Sequence, residues 1–268
     1  MENAFILKTI ISFVVAGIWI GGATLFAERL GSKKGGLITN LPSTVLIALV
    51  FVALVQDARF AANATDAVPI GMLISTLFLL VFILLLKYGL IKTVLLSLSA
   101  WFALAFLAQK IHLSNIFFNI ILYFITVVAS YILLEYVIKI PAKGKSRKKY
   151  TPGSLLIRAL FAGSVVAGTI VISTFAGTYW VGLLSTFPAV MLSTMVVLTI
   201  NQGIDFARAT GKIIILSSTN IIIYAIGISF TYPTLGVALG TIVSFGLALI
   251  WILLMHLLIQ KLSNLTYS

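Results

Sequence analysis

Long apolar runs separated by short polar gaps dominate this chain from end to end. A helix that crosses a bilayer needs about 20 apolar residues. Runs of that kind fall at 4–27, 36–56, 67–87, 89–109, 113–138, 155–176, 179–200, 212–230 and 234–260. The gaps carry Gly, Pro, Asn, Asp, Lys or Arg, which are the punctuation expected between helices. The narrowest cuts are at Tyr88-Gly89 and Tyr232-Pro233. The pattern predicts an all-α integral membrane protein with about nine transmembrane helices. The first run follows Met1-Glu2-Asn3, has no basic leader and is too long for a signal-peptide core, so it reads as the first span.

Within this pattern the chain matches itself. Residues 36–42 read Gly-Leu-Ile-Thr-Asn-Leu-Pro and residues 182–188 read Gly-Leu-Leu-Ser-Thr-Phe-Pro. At the same offset of 146, Gln56 matches Gln202, Phe60 matches Phe206 and Ala61 matches Ala207, and one residue of slippage then aligns Asn63-Ala64-Thr65 with Arg208-Ala209-Thr210. Upstream, Val14 to Gly17 resembles Val165 to Gly168, and downstream Ile74-Ser75-Thr76 resembles Ser217-Ser218-Thr219. An ordered set spread over three spans points to duplication. The expected organisation is a first repeat over 1–110, a linker helix and basic loop over 111–154, and a second repeat over 155–268. Four spans plus one linking span start the second repeat on the opposite side. The two four-helix repeats are therefore expected to be inverted, an arrangement many secondary transporters use.

Charge supplies orientation. The formal net charge is +12, yet only 9% of residues are charged and 61% are hydrophobic. The basic residues sit in the gaps with no continuous face to follow phosphates, so nucleic acid is not an expected partner. The run from Lys139 to Lys149 is the richest, and cytoplasmic loops collect Lys and Arg. With that run inside, fifteen of the basic residues fall inside, and only Lys8, Arg59 and Lys110 fall outside. The expectation is a plasma (inner) membrane protein with its N-terminus outside and C-terminus cytoplasmic. The same run is suited to anionic lipid headgroups. A homo-oligomer is compatible with the pattern.

Candidate chemistry concentrates at the matched prolines. A proline inside a helix removes a backbone hydrogen bond and opposes the preceding turn. Such a defect is tolerated in lipid only where protein or a wet cavity covers it. Thr39, Asn40 and Pro42, with Ser185, Thr186 and Pro188, are thus expected to line a substrate pathway, against the alternative of simple kinks satisfied by Ser and Thr. Gln56 and Gln202 close the same helices, as gates or as interfacial caps. Asn220, in the run Ser217-Ser218-Thr219-Asn220 with Tyr224 one turn on, adds uncharged hydrogen-bonding groups. Lys8 and Arg158 open spans 1 and 6; they would contact an anion, balance Asp57, Asp205 or Glu135, or snorkel to headgroups. Glu135 lies one turn before Lys139, so an i,i+4 ion pair is its simplest role.

Span centres carry no clear charge, and Asp57, Asp205 and Glu135 near span ends are the remaining acids for coupling. With no cysteine and with His112 and His256 far apart, neither a metal site nor a cofactor is expected. No paired-carboxylate, His/Asp or Ser/Lys constellation suggests an enzyme.

The Gly-Leu-x-x-x-x-Pro stretch, with Gln fourteen residues after the Pro, makes each half resemble the GlpM-like group of small four-helix inner-membrane proteins. The resemblance implies an inner-membrane protein, distantly like drug/metabolite-type transporters, and transfers neither a substrate nor site residues. The leading expectation is a secondary transporter of a small polar or amphiphilic solute, working by alternating access. The alternative is a membrane scaffold or assembly factor that recruits a partner through the basic loop.

Overall fold

The computed structural model describes residues 2–29, 41–113, 115–141 and 151–266, and helix is the dominant state throughout them. The helices are α1 (Glu2–Arg29), α2 (Ser43–Val55), α3 (Ala58–Ala64), α4 (Val68–Leu85), α5 (Leu90–Ile111), α6 (Ile116–Ile132), α7 (Pro152–Ser173), α8 (Thr178–Ser185), α9 (Ala189–Gln202), α10 (Ile204–Ser217) and α11 (Asn220–Thr266). Among the described residues, seven helical stretches are long and apolar enough to cross a membrane. The sequence pattern predicts nine. The difference has two sources. The second apolar run contributes only the 13-residue α2, since residues 30–40 lie outside the described set. The last two runs join in one helical stretch from Ile204 to Met255.

That last stretch is not one straight rod. Gly236 has φ 74° and ψ 175°, three residues after Pro233, so α11 is two helices meeting at a bend. Gly89, with φ 109°, makes the corresponding corner between Tyr88 and α5. Positive φ is open to glycine because it has no Cβ to clash with the backbone. The two weakest cuts in the hydrophobic pattern thus coincide with two of the three described glycines of positive φ, the third being Gly203.

The third apolar run begins earlier than its hydropathy suggests. α3, a 3-10 turn over Thr65–Ala67 and α4 form a continuous apolar stretch from Ala58 to Tyr88, 31 residues long. At 1.5 Å per residue this is about 46 Å of helix, longer than a hydrocarbon core of about 30 Å. Pro69 explains the 3-10 turn, because it has no N–H to donate back into the preceding turn.

Burial separates inner from outer helices. Two thirds of the apolar window is buried in Ala58–Tyr88 and in Thr178–Gln202, against a third or less in the other spans. α4 lies against α5, α6, α8 and α10. The outer helices expose large apolar side chains, among them Ile91 at 77% and Phe117 at 76%. Surfaces of this kind are stable only against lipid or another protein.

α1 and α7 cross closely through small residues. A β-carbon on Gly163 would stand 2.7 Å from the Phe13 carbonyl oxygen, and one on Gly17 would stand 3.4 Å from that of Ala159. Residue numbers rise on one helix as they fall on the other, so α1 and α7 run antiparallel.

Candidate functional site: the two helix breaks

The two prolines occupy the same backbone geometry. Pro42 has φ −74° and ψ 45°, and Pro188 has φ −78° and ψ 43°. Around Pro42, Ser43 N donates to Leu41 O at 2.7 Å and Leu46 N donates to Pro42 O at 2.8 Å. Around Pro188, Ala189 N donates to Phe187 O at 2.7 Å and Leu192 N donates to Pro188 O at 2.8 Å. The next helices also begin in step, since α2 and α9 start 146 residues apart, as do α3 and α10. Pro188 is therefore not a kink inside one helix. It separates α8 from α9 and caps the second.

The residues before Pro188 are buried and tied to α4. Ser185 is fully buried and Thr186 nearly so. Their hydroxyls donate back to Gly182 O (2.8 Å) and Leu183 O (2.7 Å). The freed Thr186 carbonyl accepts from Ser75 Oγ of α4 at 2.8 Å, and Ser75 Oγ accepts from Trp101 Nε1 at 3.2 Å. Phe187 stacks edge-on against Trp101, with centroids 4.8 Å apart, and also meets Phe102 and Phe161. Gly71 is required here, because a β-carbon would lie 2.1 Å from Thr186 Oγ1.

A further break lies between α10 and α11. Ser217, Ser218 and Thr219 each donate to the carbonyl three residues back, at 3.2, 2.9 and 2.9 Å. That leaves their oxygens as acceptors. Trp251 Nε1 donates to Thr219 Oγ1 at 3.0 Å, and Tyr123 OH lies 3.3 Å from Ser218 Oγ. Asn220 is fully buried beside them. At both places a tryptophan indole donates to a hydroxyl, Trp101 of α5 to Ser75 of α4 beside the Pro188 break and Trp251 of α11 to Thr219 within the α10–α11 break. The tryptophans and hydroxyls stand out in the sequence, but their pairing needs the packing of two helices.

The expected site residues divide accordingly. Ser185, Thr186, Pro188 and Asn220 are at the breaks. Pro42 opens α2, while Thr39 and Asn40 lie outside the described residues. Gln56 is at an end of the bundle, where its Nε2 donates to Ser173 O at 2.7 Å and so satisfies the end of α7. Gln202 is the last residue of α9. Asp57 caps α3 by accepting from Phe60 N at 2.7 Å. Asp205 is exposed in the first turn of α10. Lys8 donates to Leu54 O at 2.6 Å, at the end of α2. Arg158 corrects the snorkelling alternative: it is 2% exposed and packed inside the protein.

Two further corrections concern charge. Glu135 pairs with Lys212 of α10 rather than with Lys139. Lys139 has φ 56°, so the helical register that an i,i+4 pair needs ends before it. Asp66, absent from the expected set, sits nine residues into the stretch Ala58–Tyr88 and is exposed. Reading the third span from 67 hid it. The basic residues Lys143 to Lys149 lie outside the described residues.

No protein-family model matches the chain, and neither a curated protein nor a solved structure matches it.

Proposed function

We propose that the chain is a secondary transporter of the inner (plasma) membrane, in which two inverted repeats, 1–110 and 155–268, exchange conformations about a pathway through the paired helix breaks. The observation that carries this reading is the antiparallel crossing of α1 and α7, which open the two repeats. Helices in corresponding positions that run in opposite directions are what inverted topology requires. The matched proline geometry and the equal offsets of the following helices support the same correspondence. On this reading Gly89 and Gly236 each divide the third from the fourth span, which makes nine spans as four, one and four. The N-terminus is outside and the C-terminus cytoplasmic.

The pathway's chemistry favours an uncharged cargo. The groups at the breaks are hydroxyls, an amide, backbone carbonyls and aromatic rings. A divalent cation would want several carboxylate oxygens. A small polar or amphiphilic solute with hydrogen-bond donors fits acceptor hydroxyls beside Trp and Phe rings.

The native chain has no cysteine, so single-cysteine accessibility is a clean test. Thr186→Cys should react with small aqueous thiol reagents from at least one side, and a candidate solute should slow the reaction. Shielding from both sides under all conditions would end the pathway reading. A comparison of solute uptake and efflux in deletion and complemented strains supplies the substrate. Pro188→Ala should abolish flux while the protein still inserts. Function that survives both proline substitutions but fails when the Lys143–Lys149 run is neutralised would favour a scaffold.

A further inference from the structure

Lys212 is the ninth residue of α10 and is 3% exposed. Its ammonium group has two oxygen acceptors, the Glu135 carboxylate and the Ile140 carbonyl oxygen, the latter at 2.8 Å. Both acceptors come from the C-terminal end of α6, the helix that belongs to neither repeat.

The local backbone of α6 builds this receptor. The helix ends in a π-turn over Leu133–Val137. Ile138 N donates to Leu133 O at 2.9 Å, and Ile140 N donates to Leu134 O at 3.0 Å across the left-handed Lys139. A π-turn adds a residue to the turn and so redirects the side chains it carries, here Glu135. The end of a helix also concentrates partial negative charge, which favours a cation. Lys212 thus meets a carboxylate, a carbonyl and a helix terminus together.

α10 is fastened to the first half of the chain at the same end. One turn before Lys212, Arg208 Nε donates to Ile83 O of α4 at 3.1 Å. α6 itself packs along α4. Opening a path between α4 and α10 at this end would separate Lys212 from Glu135, or drag α6 away from α4. The residue at the offset of 146 from Lys212 is Asp66, opposite in sign; the one-residue slip after Ala61 makes Asp66 the neighbour of the aligned position, Ala67. Asp66 is exposed and has no hydrogen-bond or ion-pair partner among the described residues. The Lys212–Glu135 pair has no counterpart at Asp66.

We propose that Lys212, Glu135 and the Ile140 carbonyl form a latch that closes the Lys139 end of the bundle, and that access from that end requires Lys212 to leave Glu135. The latch itself stands on geometry; only the purpose of the opening rests on the transporter reading. Removing one partner of a buried pair leaves the other charge uncompensated, so the closed arrangement loses population.

The test uses Ile215→Cys as reporter, one turn from Lys212 and fully buried. Everted membrane vesicles holding the full chain are treated with a membrane-impermeant maleimide. Labelling of the parent reporter should be slow. Glu135→Gln and Lys212→Met should each speed it by about tenfold, the effect of a modest shift in a closed–open equilibrium. Lys212→Arg, which keeps the cation for the carboxylate and the carbonyl, should label closer to the parent than Lys212→Met does. Equal labelling in parent and single variants would overturn the latch. Should Glu135→Gln fail to insert, Glu135→Asp gives the same readout with an intermediate rate, and a rate equal to the parent's would overturn it. Asp66→Asn should leave labelling unchanged; an equal acceleration would overturn that difference between the two positions. If labelling responds as expected while no variant or parent moves any solute, the latch stands and the transporter reading falls.

Discussion

Residues 42–66 and 188–212 start from the same backbone geometry and part ways in charge. Each begins with a proline near φ −75° and ψ 45°, runs through a helix, and starts the next helix at the same distance. Ala61 and Ala207 are both fully buried at matching positions. Yet the first segment ends on an exposed Asp66 and the second on a buried, paired Lys212. Even the starts of α3 and α10 differ, since Asp57 caps with its carboxylate and Gly203 turns the chain with φ 90°. The contrast shows that backbone geometry at a helix break is a local property, reproducible wherever Pro follows the same pattern. Charge pairing is a property of neighbours, and only one of the two segments has α6 beside it.

The largest stability effect should come from separating the two positions chemically. Lys212→Met leaves Glu135 without its cation and should cost about 3 kcal/mol. This would appear as a lowered thermal unfolding midpoint in lipid nanodiscs. Next in size is the close backbone approach beside the second break. A β-carbon on Gly182 would stand 2.0 Å from Ala64 O, whereas one on Gly168 meets nothing within 4 Å. Gly182→Ala should therefore cost about 2 kcal/mol, an overpacking penalty, with Gly168→Ala near neutral. The Trp–hydroxyl bonds come third. Trp101→Phe and Trp251→Phe each remove one donor, and each should cost about 1 kcal/mol, with the more deeply buried Trp101 showing the greater loss. The smallest effect is expected from Asp66→Asn, which should shift stability by less than about 0.5 kcal/mol. A loss at Asp66 as large as that at Lys212 would mean that both ends are held by charge.

Much of the fold was legible in the apolar runs because lipid imposes a length on every crossing. The corners at Gly89 and Gly236 fall where the pattern is thinnest, at Tyr88-Gly89 and just past Tyr232-Pro233. Pro188 announced the break between α8 and α9, although periodicity alone could not distinguish a kink from two separate helices there. Asp66 was missed for an instructive reason. Thr65 and Asp66 fall in the gap before the run that starts at 67, but a 3-10 turn over Thr65–Ala67 carries the helix through them. The burial of Arg158 was equally hidden, because a basic residue near a span start has the same signature whether it snorkels outward or packs inward.

Hydrophobic spacing, the position of Gly and Pro, and the 146-residue self-match were fixed by the chain as written. They determine an all-helical apolar protein, the sites where its helices are interrupted and the repetition of those interruptions. These features depend on residues close together in sequence and on the backbone's need to satisfy its own hydrogen bonds away from water. The partners of Lys212, Thr186 and Ser75 were decided only by tertiary packing. Glu135 lies 77 residues before Lys212, and Ser75 lies 111 before Thr186. No local rule relates groups so far apart. Which hydroxyl meets which tryptophan, and which charge meets which, follows from helices brought together by small residues such as Gly71 and Gly182, whose missing side chains let them touch.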